Sequence, residues 1–184
     1  LIANIHAISK SINKSVVVLT PKSTQAASIL KYDPHVEEVL DLDKKGFFNI
    51  IEKIKSKNFD QAYIYSDSLR LYLISKFSGI KENFQYKFFS KKGKNFYKTA
   101  KQFTENILNI EVDPQPKIFC NDQDVEKVRN KFNISNNEKN IICGISASGH
   151  TKRWDIKNYI KLFESINLKH PSKFFLAGGQ KDEN

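Results

Sequence analysis

The sequence predicts an α/β fold in which helices alternate with parallel strands. Residues 16–19 form an aliphatic, β-branched run without polar alternation, which is typical of a strand covered on both faces in a parallel sheet. Ahead of this run, Leu1, Ile5 and Ile8 recur at helical spacing, which places them on one face of a helix. Segments of these two kinds follow each other with short connections, which favours right-handed crossovers between parallel strands.

The remaining elements continue the alternation to the end of the chain. The patterns predict helices over residues 1–12, 23–31, 47–57, 68–77, 96–108, 122–132 and 155–168. They predict strands over residues 16–19, 36–42, 59–65, 84–89, 140–145 and 173–177, and a short extended piece over 117–119. Gly79 follows the fourth helix, where a glycine can adopt the left-handed conformation that ends a helix.

Two nearby prolines, Pro114 and Pro116, divide the chain, because both interrupt regular structure. We expect an N-terminal Rossmann-like domain over residues 1–113, a linker and connecting helix over 114–139, and the start of a second Rossmann-like domain over 140–184. The first element is a helix with no strand before it, and the last stretch holds about one βαβ unit, too little to bury a core alone. We therefore expect a truncated fold whose first strand is missing and whose second domain is incomplete.

The charge is strongly basic but poor in arginine. The 184 residues contain 30 Lys and Arg against 20 Asp and Glu, a formal charge of +10, and only Arg70, Arg129 and Arg153 are arginines. A surface that follows nucleic-acid phosphates favours clustered Arg, so we expect solvated lysines suited to an anionic membrane or substrate, and no nucleic acid. The sequence contains neither a run of the ~20 apolar residues that a membrane span needs nor a secretory signal. These patterns predict a cytoplasmic protein.

Cysteine and histidine give no metal-binding pattern. Cys120 and Cys143 lack CxxC spacing, so we expect two buried thiols in a reducing compartment rather than a metal site or a disulfide. The four histidines show no mutual spacing, and only His150 lies in a candidate site. We expect no metal and no cofactor.

The most informative loop joins the strand over 140–145 to the helix over 155–168. Asp155 suits the N-cap, and Trp154 can pack on Tyr159 at the fourth helical position. The free N–H groups and the dipole of a helix N-terminus favour an anion, and lysine adds a full charge, so a phosphate would fit. A polar loop with solvated cations is the alternative, and the GxxxxGK[ST] pattern of a P-loop is absent. The candidate phosphate ligands are Ser146, Ser148, Gly149, Thr151, Lys152 and Arg153.

Two further strand ends carry polar residues, where ligands of open α/β sheets bind. Gly178 and Gly179 follow the last strand and permit close backbone approach, while Asp182 or Glu183 could accept hydrogen bonds from a ribose; an ordinary turn is the alternative. The segment 66–68 follows the strand over 59–65. Its Asp67 could act on a hydroxyl, although Ser66 or Asp67 could instead cap the next helix.

Four stretches, taken in order along the whole chain, resemble glycosyltransferase family 9, the lipopolysaccharide heptosyltransferases and their relatives. The most specific is Ala147-Ser148, three residues, then Lys152-Arg153-Trp154, which resembles an Ala-Ser-x-x-x-Lys-Arg-Trp loop. Residues 176–183 are similar to the family's Leu-Gly-Gly-x-x-Glu stretch. Residues 33–39 resemble its Asn-Pro-x-Val-Asp-x-Val turn, and residues 59–70 its Tyr-Asp-x-x-Ile-Asp-x-x-x-Ser-x-Arg stretch. The chain departs from the family's pattern before Ala147, where His-Pro-Gly is Gly-Ile-Ser, and after Trp154, where Asp155 replaces Pro.

The resemblance implies a GT-B architecture, with two Rossmann-like domains and an inverting glycosyltransferase activity that needs no metal. It implies a nucleotide-sugar donor such as ADP-heptose, a lipid-linked saccharide acceptor, and peripheral contact with the inner face of the bacterial inner membrane. The donor diphosphate would lie against Lys152, the phosphates would be lined by Ser148, Gly149 and Thr151, and the ribose would be held by Asp182 or Glu183. Ser66, Asp67 and Ser68 would lie on the acceptor side. The catalytic base is expected ahead of Leu1, so we predict that this chain by itself is inactive.

Two other functions compete with this one. A non-catalytic basic α/β module that binds RNA or anionic lipid through its lysines would show steep salt dependence. An enzyme that uses NAD is disfavoured, because no GxGxxG sequence follows any predicted strand.

Overall fold

The computed structural model describes residues 1–42, 46–86, 95–146 and 152–179. The chain forms two compact units, Leu1–Cys120 and Asn121–Asn184. Within the described ranges, no helix combines the length and the apolar character needed to cross a bilayer.

Helices and parallel strands alternate in both units, as the sequence predicts. The first unit contains α1 (Ile2–Ile12), β1 (Val16–Thr20), a 3-10 turn (Lys22–Thr24), α2 (Ala26–Ile29), β2 (Val36–Asp41), α3 (Phe47–Lys55), β3 (Gln61–Ile64), α4 (Leu69–Phe77), β4 (Glu82–Gln85) and α5 (Phe96–Leu108). The second unit contains α6 (Asp122–Phe132), β5 (Lys139–Gly144), α7 (Ile156–Lys169) and β6 (Ser172–Ala177).

Most predicted elements agree with the structure to within a few residues. Residues 87–89 of the strand predicted over 84–89 lie outside the described residues, and among the helices α2 differs most from its prediction. A helix over 23–31 is predicted, but the structure forms a 3-10 turn and only Ala26–Ile29 as α-helix. The Thr24 hydroxyl donates to the Pro21 carbonyl over 2.8 Å, and Gln25 has a positive φ of 56°. A short hydroxyl side chain thus competes with the helical hydrogen bonds, which shortens the helix.

Each two-stranded sheet is parallel. β1 pairs with β2, β3 with β4 and β5 with β6. The carboxyl ends of two paired strands therefore lie at one edge, where their connections to the following helices begin.

Helices cover both faces of the first unit's strands. On one side, Ile50, Ile54 and Ile74 form a buried cluster from α3 and α4, against which Leu19 of β1 and Ala62 of β3 both pack. On the other side the buried Thr104 hydroxyl of α5 donates to the Asn4 side chain of α1 over 2.8 Å, and it lies 2.6 Å from the Tyr65 hydroxyl. This arrangement agrees with the unalternating apolar pattern of residues 16–19.

In the second unit, helices pack on both faces of the β5–β6 sheet. Phe163 of α7 stacks on Phe174 with ring centroids 4.4 Å apart, and Phe132 of α6 meets Phe175 edge-on at 6.1 Å. Successive residues of a strand point to opposite faces, so α7 and α6 cover different faces. The sequence places the helix over 122–132 in a connecting segment, but the structure groups it with the second unit because of this packing and because Lys173 Nζ donates to the Phe132 carbonyl over 2.9 Å.

The prediction of two buried thiols is wrong. Cys120 is exposed and Cys143 is half-buried. Cys120 is the last residue of the first unit and lies in the irregular stretch before α6, where no element covers it. Cys143 lies in β5, which pairs with β6 alone among the described strands.

Candidate functional site

The loop between β5 and α7 ends in the capping arrangement that the sequence predicts. The Asp155 carboxylate accepts the Lys157 backbone N–H over 2.8 Å, so Asp155 is the N-cap of α7. The Trp154 and Tyr159 rings meet edge-on with centroids 4.9 Å apart. The Tyr159 hydroxyl also donates to the Gly144 carbonyl at the end of β5, over 3.4 Å. These contacts fix the chain just after Lys152 and Arg153 relative to the end of β5.

Cations lie beside this helix start. Lys152 and Arg153 precede the Asp155 N-cap, and both side chains are exposed. Ser146, on the other side of the loop, is exposed as well. The predicted phosphate ligands Ser148, Gly149 and Thr151, together with His150, lie outside the described residues.

The two strands of the second unit bring two of the predicted site segments to one edge. Gly144 is the register partner of Ala177, and the Ile145 N–H donates to the Ala177 carbonyl over 3.0 Å. Ser146 and Gly178 therefore leave adjacent strands at neighbouring positions. Asp182 and Glu183 lie outside the described residues, so their predicted contact with a ribose stays a prediction.

The segment 66–68 leaves the carboxyl end of β3 in the first unit. The predicted cap is wrong: Ser68, not Ser66 or Asp67, is the N-cap of α4, and its own side chain makes no capping hydrogen bond. The Ser66 hydroxyl instead accepts the Ser68 N–H over 3.3 Å, because a serine side chain can close a local turn with the backbone two residues on. Asp67 is half-buried between these two serines.

Gln85, which no sequence pattern singles out, holds this segment in place. Its side-chain amide donates to the Ser66 carbonyl over 2.9 Å and to the Ser68 carbonyl over 3.0 Å. Gln85 is the register partner of Ile64 at the carboxyl end of β4. The signal that could have found it is a long polar side chain at the end of a strand paired with β3.

Two tyrosines directly follow the ends of β3 and β4: Tyr65 is half-buried and Tyr86 is buried. Burial raises the pKa of Tyr65 far above its ordinary range, and burial raises the pKa of Tyr86 to about 12. Both phenols therefore stay neutral near pH 7. They pack edge-on with centroids 5.9 Å apart.

A second polar feature lies at the carboxyl ends of β1 and β2. Thr20, Lys22, Thr24 and Asp41 contribute to the lining of a shallow pocket of about 120 Å³. Thr20 and Asp41 are register partners, so both strand ends contribute. This pocket is not among the predicted sites, although polar residues lie at the ends of both strands. Over the ranges that the structure describes, no three His, Cys, Asp or Glu side chains are grouped as metal ligands.

Solved glycosyltransferase structures share this fold. The chain superposes on ADP-heptose lipopolysaccharide heptosyltransferase II of E. coli with a TM-score of 0.71 and 16% identity, over 98% of this chain and 61% of that one. A glycosyltransferase family 9 protein of Veillonella parvula gives a TM-score of 0.75 and 14% identity, over 99% of this chain and 59% of that one. No protein-family model matches the sequence, and no curated protein is significantly similar to it. The α/β fold with parallel strands is thus confirmed as that of these glycosyltransferases, and the chain spans about 60% of their length.

Proposed function

We propose that this chain is part of a glycosyltransferase that moves a sugar from a nucleotide-sugar donor to a saccharide acceptor. One observation carries the proposal: the connections that follow β5 and β6 leave the same edge, one bearing Lys152 and Arg153 and the other bearing Gly178 and Gly179. The cations favour an anionic ligand. The glycine pair lets the backbone approach that ligand closely, because glycine has no side chain. The shared fold of two glycosyltransferases supports the same conclusion.

The donor is a nucleoside diphosphate sugar of the ADP-heptose kind. Lys152 and Arg153 offset the charge of its diphosphate, with Ser146, Ser148, Gly149 and Thr151 as further phosphate ligands. Gly178 and Gly179 lie against the nucleoside, and Asp182 or Glu183 holds the ribose. This assignment follows the family resemblance of residues 147–154 and 176–183.

The reaction inverts the anomeric centre without a metal. The acceptor hydroxyl oxygen attacks the anomeric carbon while the bond from that carbon to the diphosphate oxygen breaks. A base takes the hydroxyl proton, and the nucleoside diphosphate leaves with the bonding electron pair. Lys152 stabilises the charge that develops on this leaving group. The resemblance assigns no residue of this chain as that base.

The acceptor lies on the first unit and is a lipid-linked saccharide. The segment 66–68, held by Gln85, offers a carboxylate and two hydroxyls at a sheet edge. A formal charge of +10 favours association with an anionic membrane surface. This agrees with a cytoplasmic enzyme at the inner face of a bacterial membrane.

Calorimetry on the complete gene product tests the donor site. Lys152→Ala should weaken binding of ADP and ADP-sugars by about 1–3 kcal/mol, because a charge-assisted hydrogen bond to phosphate is lost. Lys161→Ala is the matched control, since this exposed lysine lies further along α7 and should leave the affinity unchanged.

The same experiment separates the alternative function. A basic module that binds RNA or anionic lipid is favoured by the net charge alone. It predicts equal effects of the two lysine variants, a steep fall in RNA affinity with salt, and no preference for nucleotide sugars. That outcome would contradict the glycosyltransferase proposal.

A further inference from the structure

A largely buried polar cluster joins α1 to the turn that precedes β2. Helix α1 supplies His6 and Ser9, and the turn after α2 supplies Asp33 and His35. His6 Nε2 lies 2.7 Å from Asp33 Oδ2, and the Ser9 hydroxyl lies 3.0 Å from His35 Nδ1. The two imidazole centroids are 4.6 Å apart. His6, Ser9 and Asp33 are only 8%, 4% and 5% exposed, so water reaches these three side chains poorly, whereas His35 is half-buried.

The last residues of the first unit contact this cluster. Residues 111–121, called the exit segment below, form no helix or strand. Within this segment Phe119 is half-buried, whereas Ile118 and Cys120 on either side are exposed. The Phe119 ring meets His6 edge-on at 5.8 Å and His35 at 6.3 Å. Phe119 is therefore a side chain that attaches the exit segment to the two histidines.

We propose that His6, His35 and Phe119 form a proton-sensitive anchor, which holds the exit segment on the first unit and releases it when both imidazoles are protonated. The cluster supplies a single carboxylate for two bases. Asp33 Oδ2 already faces His6, and Asp33 Oδ1 accepts the His35 backbone N–H over 3.0 Å. One imidazolium is balanced by this carboxylate, but a second is not.

The other charges around the anchor oppose the second proton. Burial lowers the pKa of the His35 imidazole, the neighbouring charges of His6 and Lys10 lower it further, and only Asp33 raises it. Lys117 Nζ lies 4.9 Å from the centre of the Phe119 ring and adds another positive charge on the exit segment. Protonation of His35 beside a protonated His6 therefore places two cations side by side next to the buried Ser9 and Asp33 side chains, which favours separation and hydration of the rings.

The sign of the pH dependence follows from the lowered pKa. The released state binds the proton at an ordinary imidazole pKa of about 6.5, and the anchored state binds it only at lower pH. The anchor is therefore at full strength above about pH 6.5 and is lost as the pH falls below it. The ratio of anchored to released forms should fall by up to roughly tenfold for each unit by which the His35 pKa is lowered.

NMR of the whole chain with labelled His and Phe tests the proposal between pH 8 and pH 5. At pH 8 we expect cross-relaxation between the Phe119 ring and both imidazoles, and at pH 5 its loss while the Ile74 methyl signals of the buried core stay unchanged. Phe119→Ala assigns the Phe119 ring signals. His35→Gln, which keeps a hydrogen-bonding partner for Ser9 but cannot gain the proton, should retain the Phe119 contact with His6 down to pH 5. His170→Gln changes an exposed histidine after α7. This variant should lose the Phe119 contacts over the same pH range as the unsubstituted chain.

Three outcomes would overturn the proposal. The Phe119 contacts could persist at pH 5 although both imidazoles titrate. The contacts could be lost from His35→Gln at the same pH as from the unsubstituted chain. The Ile74 signals could disappear together with the Phe119 contacts, which would indicate global unfolding rather than release of one segment.

Discussion

Gln85 shows how a single side chain on one strand can shape a loop on its neighbour. Its amide donates to the carbonyls of Ser66 and Ser68, and these carbonyls flank Asp67. A carboxylate is useful at a sheet edge only if its backbone is held in place. Gln85 is thus a positioning residue for the proposed acceptor side.

We expect Gln85→Leu to lower the free energy of unfolding by about 1–3 kcal/mol, because two part-buried carbonyls lose their donors. Urea denaturation of the chain measures this loss. Gln102→Leu, at an exposed position of α5, is the matched control and should change the stability little. Similar losses in both variants would show that the amide contributes nothing specific.

Helix α7 shows how an element prepares a candidate binding loop. Its N-cap and the packing of Trp154 on Tyr159 fix the chain just after Lys152. These contacts are local in sequence, which is why the sequence predicted both of them. The position of the lysine therefore depends on the start of the helix.

We expect Asp155→Ala to destabilise the second unit by about 0.5–2 kcal/mol, because the Lys157 N–H loses its acceptor. Thermal or urea unfolding followed by Trp154 fluorescence reports on this unit. Asp155→Ser retains a capping oxygen and should recover most of the loss. If Ser and Ala destabilise equally, the capping bond is not what holds the helix start.

At the scale of the molecule, the described strands of the first unit form two separate parallel pairs, β1–β2 and β3–β4. The Val16 N–H donates to the His35 carbonyl and the Thr20 carbonyl accepts the Leu42 N–H, so both groups face β2. Backbone groups of successive strand residues point to alternate sides, so the N–H groups of Val17 and Leu19 point away from β2. Among the described residues no strand pairs with that edge of β1. Leu19 and Ala62 nevertheless pack against the same buried cluster of α3 and α4. β1 and β3 are therefore covered by the same helices, although no backbone hydrogen bonds join these two strands among the described residues.

Amide hydrogen exchange should distinguish the two edges of β1. We expect the amides of Val17 and Leu19 to exchange faster than that of Val18, because only the latter donates within a sheet. In the complete gene product, protection of Val17 and Leu19 would indicate that another strand pairs with this edge. Equal protection of all three amides in residues 1–184 would contradict this account of the edge.

The sequence by itself determined the order and type of the elements, the α/β fold that solved glycosyltransferases share and the capping of α7, because each depends on residues close together in the chain. The tertiary structure decided the rest. It placed Gln85 across the segment 66–68, brought Ser146 and Gly178 to adjacent strand ends, exposed Cys120, and brought the His6 and His35 rings together at a tilt. Each of these contacts joins residues far apart in sequence or depends on what covers them. Hydrophobic periodicity carries no information about such pairs, since strand register and helix packing fix them only when the chain folds.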